Sequence, residues 1–236
     1  MTTMAVEVRP YTGLGKFQID WLNASHHFSF GQYYDPGRMG VGPLRVWNDD
    51  EIAPQSGFDP HPHRDMEIVT YVRKGAITHL DSLGNQGRTP AGDVQVMSAG
   101  TGIRHAEYNR EDETTTIFQI WIQPRHRGLE PRWAQRAFPK ADRAGQLVVL
   151  ASGRQGDDDA LPIDQDAAVL GATLEKGQKI THRLGKGRQA YIVGALGSFT
   201  VNGKAVKARD GVMVRDADEV VVEAGEPSEI LVADLP

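Results

Sequence analysis

The chain has 236 residues, a net charge of −5 and no cysteine. This composition excludes disulfides and thiol catalysis, and the negative charge argues against direct binding to nucleic-acid phosphates. No apolar run reaches the length of about eighteen residues that a membrane span needs, and the first ten residues lack the apolar core of a signal peptide. We therefore expect no membrane partner and a cytoplasmic location, since a cysteine-free chain is compatible with a reducing compartment.

The composition also bounds the fold. The apolar share is 39%, and 26 glycines and 13 prolines interrupt the chain frequently, which is typical of turn-rich β structure rather than of a helical bundle. A chain of this length is long for one small barrel and sufficient for two. The sequence thus predicts an all-β protein with two β-barrels in tandem.

The first motif is Gly57-Phe-Asp-Pro-His61-Pro-His63, followed by Arg-Asp-Met-Glu67. In a β-strand, residues i and i+2 point to the same face, so His61 and His63 would share one face. A single H-x-H on a strand is usually a pair of surface or hydrogen-bonded histidines. This motif alone therefore predicts no metal site.

The second motif, Gly102-Ile-Arg-His105-Ala-Glu107-Tyr-Asn109, repeats the i, i+2 spacing about forty residues later. Two neighbouring strands could therefore aim the imidazoles of His61, His63 and His105 and the carboxylate of Glu107 at one point. Such a donor set suits one divalent ion, Fe, Ni, Cu, Mn, Co or Zn, and four protein ligands around an octahedral ion leave about two positions open. A closed structural zinc site normally uses cysteines, which this chain lacks. Two matched pairs thus predict a mononuclear metal site suited to chemistry.

Other polar residues near the two motifs have simpler interpretations. Glu67 is expected to orient a ligating histidine, with a fifth-ligand role as the alternative. Asn109 is expected to hydrogen-bond within its strand pair. His79 is expected to pair with Asp81 or a backbone carbonyl, and His26, with its neighbour, to pack among phenylalanines.

A candidate domain boundary lies near residues 138–146, before the apolar run from Leu147 to Leu150. It predicts one barrel over residues 1–140 and a second over residues 141–236. The second half has strand-like runs, namely Ala168–Leu174, Gln189–Val193, Ser198–Val201, Gly211–Arg215, Glu219–Glu223 and Ile230–Ala233. Asn202-Gly203 is the strongest hairpin signal, because Asn-Gly favours the tight turns of hairpins.

The two halves resemble each other weakly, as in Lys74-Gly-Ala-Ile-Thr78 and Leu196-Gly-Ser-Phe-Thr200. When the first-half ligand positions are projected onto the second half, only His182 falls nearby. The second barrel is therefore expected to lack metal ligands and to serve a structural role.

Several segments resemble the cupin superfamily and, more closely, its pirin family of two-barrel proteins. They are His27–Phe30, Tyr34–Pro36, Asn48–Asp50, His61–Tyr71, Asp81-Ser82 and Met97–Gly102. The resemblance is dense over residues 20–135 and is closest to the bacterial branch with quercetin 2,3-dioxygenase activity. It implies two tandem cupin barrels (double-stranded β-helix, or jelly-roll). It also implies one metal per chain, with iron as the first expectation, held by His61, His63, His105 and Glu107.

Two functions follow from the resemblance. The first is a dioxygenase that opens the ring of a flavonol or another small aromatic substrate with dioxygen and releases carbon monoxide. In that reaction Glu107 would be the general base that takes the substrate's hydroxyl proton. The second is a non-catalytic metal-binding protein that acts through contacts with an unidentified protein partner.

Overall fold

The computed structural model describes residues 5–236. Within this range the regular elements are strands, apart from two short 3₁₀ helices at Tyr11–Gly13 and Lys140–Arg143. The first twelve strands are β1 Ala5–Arg9, β2 Gly15–Gln18, β3 Leu22–His26, β4 Leu44–Ile52, β5 Ser56–His63, β6 Glu67–Lys74, β7 Ala76–Asp81, β8 Gln86–Pro90, β9 Val94–Ser98, β10 Ile103–Asn109, β11 Thr115–Ile122 and β12 Arg132–Arg136. The other ten are β13 Val148–Ser152, β14 Leu161–Pro162, β15 Ala168–Leu174, β16 Lys179–Arg183, β17 Gln189–Leu196, β18 Ser198–Val201, β19 Lys204–Lys207, β20 Gly211–Arg215, β21 Glu219–Ala224 and β22 Ser228–Leu235. The prediction of an all-β protein is confirmed.

The strands form two compact units. The N-terminal unit comprises Gly15–Phe138 and Leu161–Gln165. Its larger sheet has the order β12-β9-β6-β11-β4-β3-β2, and its smaller sheet the order β5-β10-β7-β8. Ile77 of the smaller sheet packs with Val72 and Ile117 of the larger one, so the core lies between the two sheets. Burial of such β-branched side chains between facing sheets is the main source of stability for this architecture.

The two sequence motifs occupy neighbouring strands of the smaller sheet. β10 pairs antiparallel with β5, and His105 lies directly opposite His61 while Ile103 lies opposite His63. The register shifts beyond His105, because β5 carries an extra residue there and Glu107 lies opposite Phe58. Such a bulge re-aims side chains next to a site. The pairing therefore places the histidines of both motifs side by side.

The C-terminal unit comprises residues 5–14, Pro139–Ala160 and Asp166–Pro236. One of its sheets runs β1-β20-β17-β22-β15-β13, and the other has the order β16-β21-β18-β19. β1 pairs with β20 from Ala5↔Arg215 to Arg9↔Gly211, so the start of the described chain belongs to this unit. An apolar core of valine, isoleucine and leucine side chains from both sheets fills its interior.

Local predictions for the second half agree with the structure. β15, β18 and β20 begin and end at the predicted residues. Asn202 and Gly203 have φ values of 45° and 80° and join β18 to β19. Two consecutive positive φ angles are the requirement of a tight hairpin turn, and asparagine and glycine meet it at low cost. The predicted hairpin is confirmed.

Candidate metal centre

Three histidines converge at the paired ends of β5 and β10. His61 Nε2 lies 3.1 Å from His105 Nε2, and the His63 ring centroid lies 4.8 Å from that of His61 and 4.9 Å from that of His105. One ring nitrogen of each lies within 4.8 Å of the others. These three residues could therefore hold one metal ion together.

The hydrogen bonds of these rings leave nitrogen lone pairs facing the centre. His61 Nδ1 lies 2.7 Å from the carbonyl oxygen of Asp59, which can only accept, so Nδ1 carries the hydrogen and Nε2 is the free acceptor. His63 Nε2 is buried and has no hydrogen-bond partner among the described residues. A buried nitrogen without a partner is costly. A divalent cation would satisfy these nitrogens, so the donor set fits a metal.

The electrostatics keep the rings of His63 and His105 neutral. Burial, with repulsion from His105 and His61, lowers the pKa of His63 to about 4, although Glu107 opposes the shift. Burial, with repulsion from His61 and His79, lowers the pKa of His105 to about 3. Ligating imidazoles must be neutral. Both rings are therefore in their metal-binding form at neutral pH.

Glu107 is buried in the same unit and is held by three side chains. Its Oε1 accepts hydrogen bonds from Gln95 Nε2 at 2.6 Å and Thr70 Oγ1 at 3.3 Å, and its Oε2 accepts one from Gln119 Nε2 at 2.6 Å. Glu107 belongs to a metal-competent group with His79 and His105. The four predicted ligands therefore lie in two groups that share His105. The first group is His61, His63 and His105. The second is His105 and Glu107 together with His79, which was not predicted to be a ligand.

His79 contacts His105 on the Nδ1 side of its ring. His79 Nε2 lies 2.9 Å from Asp81 Oδ2, which confirms the predicted pair, and His79 Nδ1 lies 3.4 Å from His105 Nδ1. The His79 ring stacks on Trp133 with a centroid distance of 4.7 Å and an angle of 7°. A carboxylate and a second ring that fix a ligand's tautomer and orientation are common around metal sites. Asp81, His79 and Trp133 therefore position His105.

Sequence reasoning missed the two glutamines that hold Glu107. Gln95 lies within Val94-Gln-Val-Met97 and Gln119 within Ile117-Phe-Gln-Ile120, and both glutamines are buried. A single amide inside an apolar strand is an available signal, because a buried polar group needs a partner. The pattern could have identified these glutamines as residues that need a buried partner, but it could not have identified Glu107 as that partner.

The hydrogen-bond partners of Glu67, Asn109 and His182 lie outside the candidate ligand set. Glu67 accepts a hydrogen bond from Ser98 Oγ at 2.6 Å instead of orienting a histidine, and it lies outside both metal-competent groups. Asn109 donates to the backbone oxygens of Ile52, Ala53 and Glu113, as expected for a residue bonded within its strand pair. In the C-terminal unit, His182 Nε2 lies 2.8 Å from Asp234 Oδ2.

A cavity of about 210 Å³ adjoins Glu107 through Gln119. Its apolar walls include Phe17, Leu22, Ala24, Phe30 and Phe58, and its polar groups include His26, Asn48, Asp50 and Gln119. His26 was expected only to pack among phenylalanines, but its Nδ1 lies 2.8 Å from Asn48 Oδ1 and its side chain reaches this cavity. Gln119 therefore both lines this aromatic cavity and holds Glu107.

A second cleft, of about 410 Å³, lies along His63, Arg64 and Arg104. Along the described chain, 5–236, no helix is long and apolar enough to cross a membrane.

Residues 7–122 match the protein family described as Pirin, and residues 149–235 match the one described as Quercetinase C-terminal cupin domain. A pirin-like protein of Caulobacter vibrioides is 58% identical over 97% of this chain and 99% of its own length. A quercetin 2,3-dioxygenase of Escherichia coli is 43% identical over 92% of each chain.

A solved structure has the same fold. The bacterial pirin YhhW of Escherichia coli, in complex with nickel(II), superposes with a TM-score of 0.93 and 39% identity over 98% of this chain and 99% of that chain.

Proposed function

The chain belongs to the pirin family of two-barrel cupins, and on that premise we propose that it is a metal-dependent dioxygenase that opens the ring of a flavonol such as quercetin. The fold is that of this family, as the sequence predicted. Support for the activity comes from the dioxygenase name of the Escherichia coli relative. The observation that carries the proposal is the cluster of three imidazoles, one of which packs near Phe58 of an aromatic cavity.

The proposed ligands are His61, His63, His105 and Glu107, with one divalent metal per chain. Iron is the proposed metal, and Ni, Cu, Mn, Co and Zn are the alternatives that the donor set allows. The nickel complex of the related pirin supports a site of this kind. All four ligands lie in the N-terminal unit. The predicted halves, residues 1–140 with the metal ligands and residues 141–236 without them, remain proposals, although residues 5–14 and Leu161–Gln165 each belong to the other compact unit. A cytoplasmic location also remains a proposal.

A bound divalent ion lowers the pKa of a coordinated hydroxyl and so favours its ionised form. Glu107 is the proposed base for the proton of the substrate's 3-hydroxyl. Its Oε1 already accepts hydrogen bonds from Gln95 and Thr70, whereas Oε2 accepts only one, from Gln119. Oε2 is therefore the oxygen with room to take the proton, and the donors hold it in place for that transfer.

Aromatic side chains pack around the candidate ligands His61 and His63. Phe58 packs near His61 with ring centroids 6.3 Å apart, and Trp121 packs edge-on against His63 at 4.9 Å. Phe30 packs edge-on against Trp121 at 5.4 Å. This wall would orient a flat aromatic substrate and keep bulk water away from the ionised hydroxyl.

The test is turnover of quercetin by protein loaded in turn with Fe, Ni, Mn, Co or Cu, measured as flavonol loss, dioxygen uptake and carbon monoxide release. The expected result is equimolar dioxygen uptake and carbon monoxide release with at least one metal. If no flavonol is consumed with any metal, the dioxygenase is excluded. A metal-containing protein that acts through protein contacts is then the better account.

A further inference from the structure

The cavity beside Gln119 contains one buried acidic group whose role the metal centre does not explain. Asp50 lies on β4, opposite Ala24 of β3 and Ile117 of β11. Its side chain shares a face with Asn48, which lies opposite Gln119, and both line the cavity. The barrel wall thus carries a carboxyl group next to the residue that holds Glu107.

One oxygen of the Asp50 carboxyl group has no partner in residues 5–236. Asp50 is 2% exposed, and its Oδ1 is buried without a hydrogen bond from any of these residues. The neighbouring Asp49, which points to the opposite side of the strand, pairs with Arg73. Buried oxygens without partners are rare and costly, and they often mark a position where a ligand supplies the missing bond.

The charge state of Asp50 agrees with such a role. Burial, with repulsion from Asp49 and Glu107, raises the pKa of Asp50 to about 8, and Arg73 opposes this shift only in part. The group is therefore mostly protonated at neutral pH. A protonated carboxyl group both donates and accepts hydrogen bonds, so it can pair with a phenolic hydroxyl in either direction.

The size of the cavity limits what can occupy it. An apolar cavity of about 150 Å³ holds a benzene ring, and sites for whole drug-sized ligands measure about 300–1,000 Å³. The volume of about 210 Å³ therefore suits one substituted ring. The rings of Phe17, Phe30 and Phe58 supply apolar walls for it. In a flavonol, the exocyclic phenyl group is the only separate single ring.

We propose that Asp50 is a specificity-determining residue that hydrogen-bonds a hydroxyl of the substrate's exocyclic phenyl ring, which occupies this cavity. The inference rests on the proposed function in that it takes the substrate to be a flavonol. The fused ring system with its 3-hydroxyl then lies on the metal side of Gln119, whose Nε2 is 2.6 Å from Glu107 Oε2.

Three flavonols isolate this contact. Galangin, kaempferol and quercetin share the fused rings and the 3-hydroxyl, and they carry zero, one and two hydroxyls on the exocyclic ring. A site that hydrogen-bonds a hydroxyl discriminates against the analogue that lacks it. We expect galangin to bind about 10- to 100-fold more weakly than quercetin.

The experiment measures Kd by calorimetry for the three flavonols with nickel-loaded protein under anaerobic conditions, and then kcat/KM with dioxygen. Asp50→Leu should bring the three Kd values within about twofold of one another, and Asp50→Asn should retain part of the preference. The matched control is Leu22→Val, which changes an apolar wall of the same cavity. It should affect the three flavonols equally.

Equal Kd values in the wild type, or a preference that survives in Asp50→Leu, would overturn the role of Asp50. If Asp50→Leu does not fold, the wild-type series and Asp50→Asn still decide. If the flavonols bind with the expected preference but are not consumed, the dioxygenase fails and the Asp50 contact stands. If all three are consumed with equal kcat/KM and Kd, the dioxygenase stands and the contact fails.

Discussion

His105 and His61 lie directly opposite each other on β10 and β5, and their Nε2 atoms are 3.1 Å apart. His61 Nδ1 is bonded to a carbonyl oxygen, so its Nε2 has a lone pair facing His105. A hydrogen on His105 Nε2 can satisfy this lone pair, but the buried Nε2 of His63 then still lacks a partner among the described residues. A single cation can serve all three nitrogens, which gives the first prediction its basis.

Loss of two of the histidines should abolish metal binding. Protein purified without a metal-affinity tag should contain close to one metal per chain by elemental analysis. His63→Ala should lower occupancy sharply, and the double variant of His61→Ala and His105→Ala should bring it close to zero. His126→Ala is the matched control, because that imidazole is exposed and bonded to Asp164. Full occupancy in the double variant would refute the assignment.

Metal occupancy should depend on pH. The pKa values of His63 and His105 are lowered to about 4 and about 3, so both rings stay neutral well below the ordinary histidine value. Protonation competes with the metal only when the pH falls toward these values. Occupancy after dialysis against a chelator should therefore persist at about pH 5.5 and fall as the pH approaches about 4. Release already between about pH 6 and 7 would contradict the burial of these rings.

Glu107→Gln should separate the enzyme from the binding protein. The new amide places an NH₂ group among the donors Gln95, Gln119 and Thr70, so one donor must turn away or lose its acceptor. We expect destabilisation by about 1–3 kcal/mol, measured by chemical unfolding, and modestly weaker metal binding. Quercetin turnover at saturating metal should fall by about 10²-fold or more, because the basic group is lost. Unchanged turnover would exclude Glu107 as the base.

Gln119→Leu tests the support of Glu107. Gln119 donates to Glu107 Oε2 and accepts from Trp121 Nε1 at 3.1 Å, so the variant frees both groups. Loss of such an outer partner typically lowers metal affinity or activity by about 10- to 100-fold. The control Gln86→Leu removes an exposed amide on β8 and should leave both unchanged. Metal affinity and turnover at wild-type levels in Gln119→Leu would show that Glu107 needs no such support.

Gly57→Ala tests the close approach of β5 to β10. A Cβ atom at Gly57 would lie 2.3 Å from the carbonyl oxygen of Glu107 and 2.6 Å from Cα of Tyr108. The two strands would have to separate, so the variant should be destabilised by about 1–3 kcal/mol and bind metal more weakly. Gly13→Ala is the control, since nothing lies within 4 Å of a Cβ there. Equal Tm values and metal content in both variants would contradict the observed packing.

Which side chains meet at the candidate metal centre could largely be predicted from local spacing. The alternation of His61 with His63 and of His105 with Glu107 sets which side chains share a face, because the period of a strand is two residues. The Asn202-Gly203 turn was predictable for a similar reason, since its positive φ angles are a local requirement. These features depend only on residues close together in the chain.

Tertiary structure alone decided the contacts between distant strands. β1 pairs with β20 about two hundred residues away, and no local pattern specifies that partner. The contact of His79 with His105 and the hydrogen bond from Gln119 to Glu107 each join different strands. The surroundings of Asp50 Oδ1 are likewise formed by several strands. The sequence by itself thus determined the all-β class, the residues that share a strand face and the chemistry of the candidate ligands, which follow from backbone geometry and donor chemistry. Sheet order and register decided how those ligands are supported and what the cavity beside them can hold, because such contacts exist only after distant strands have packed.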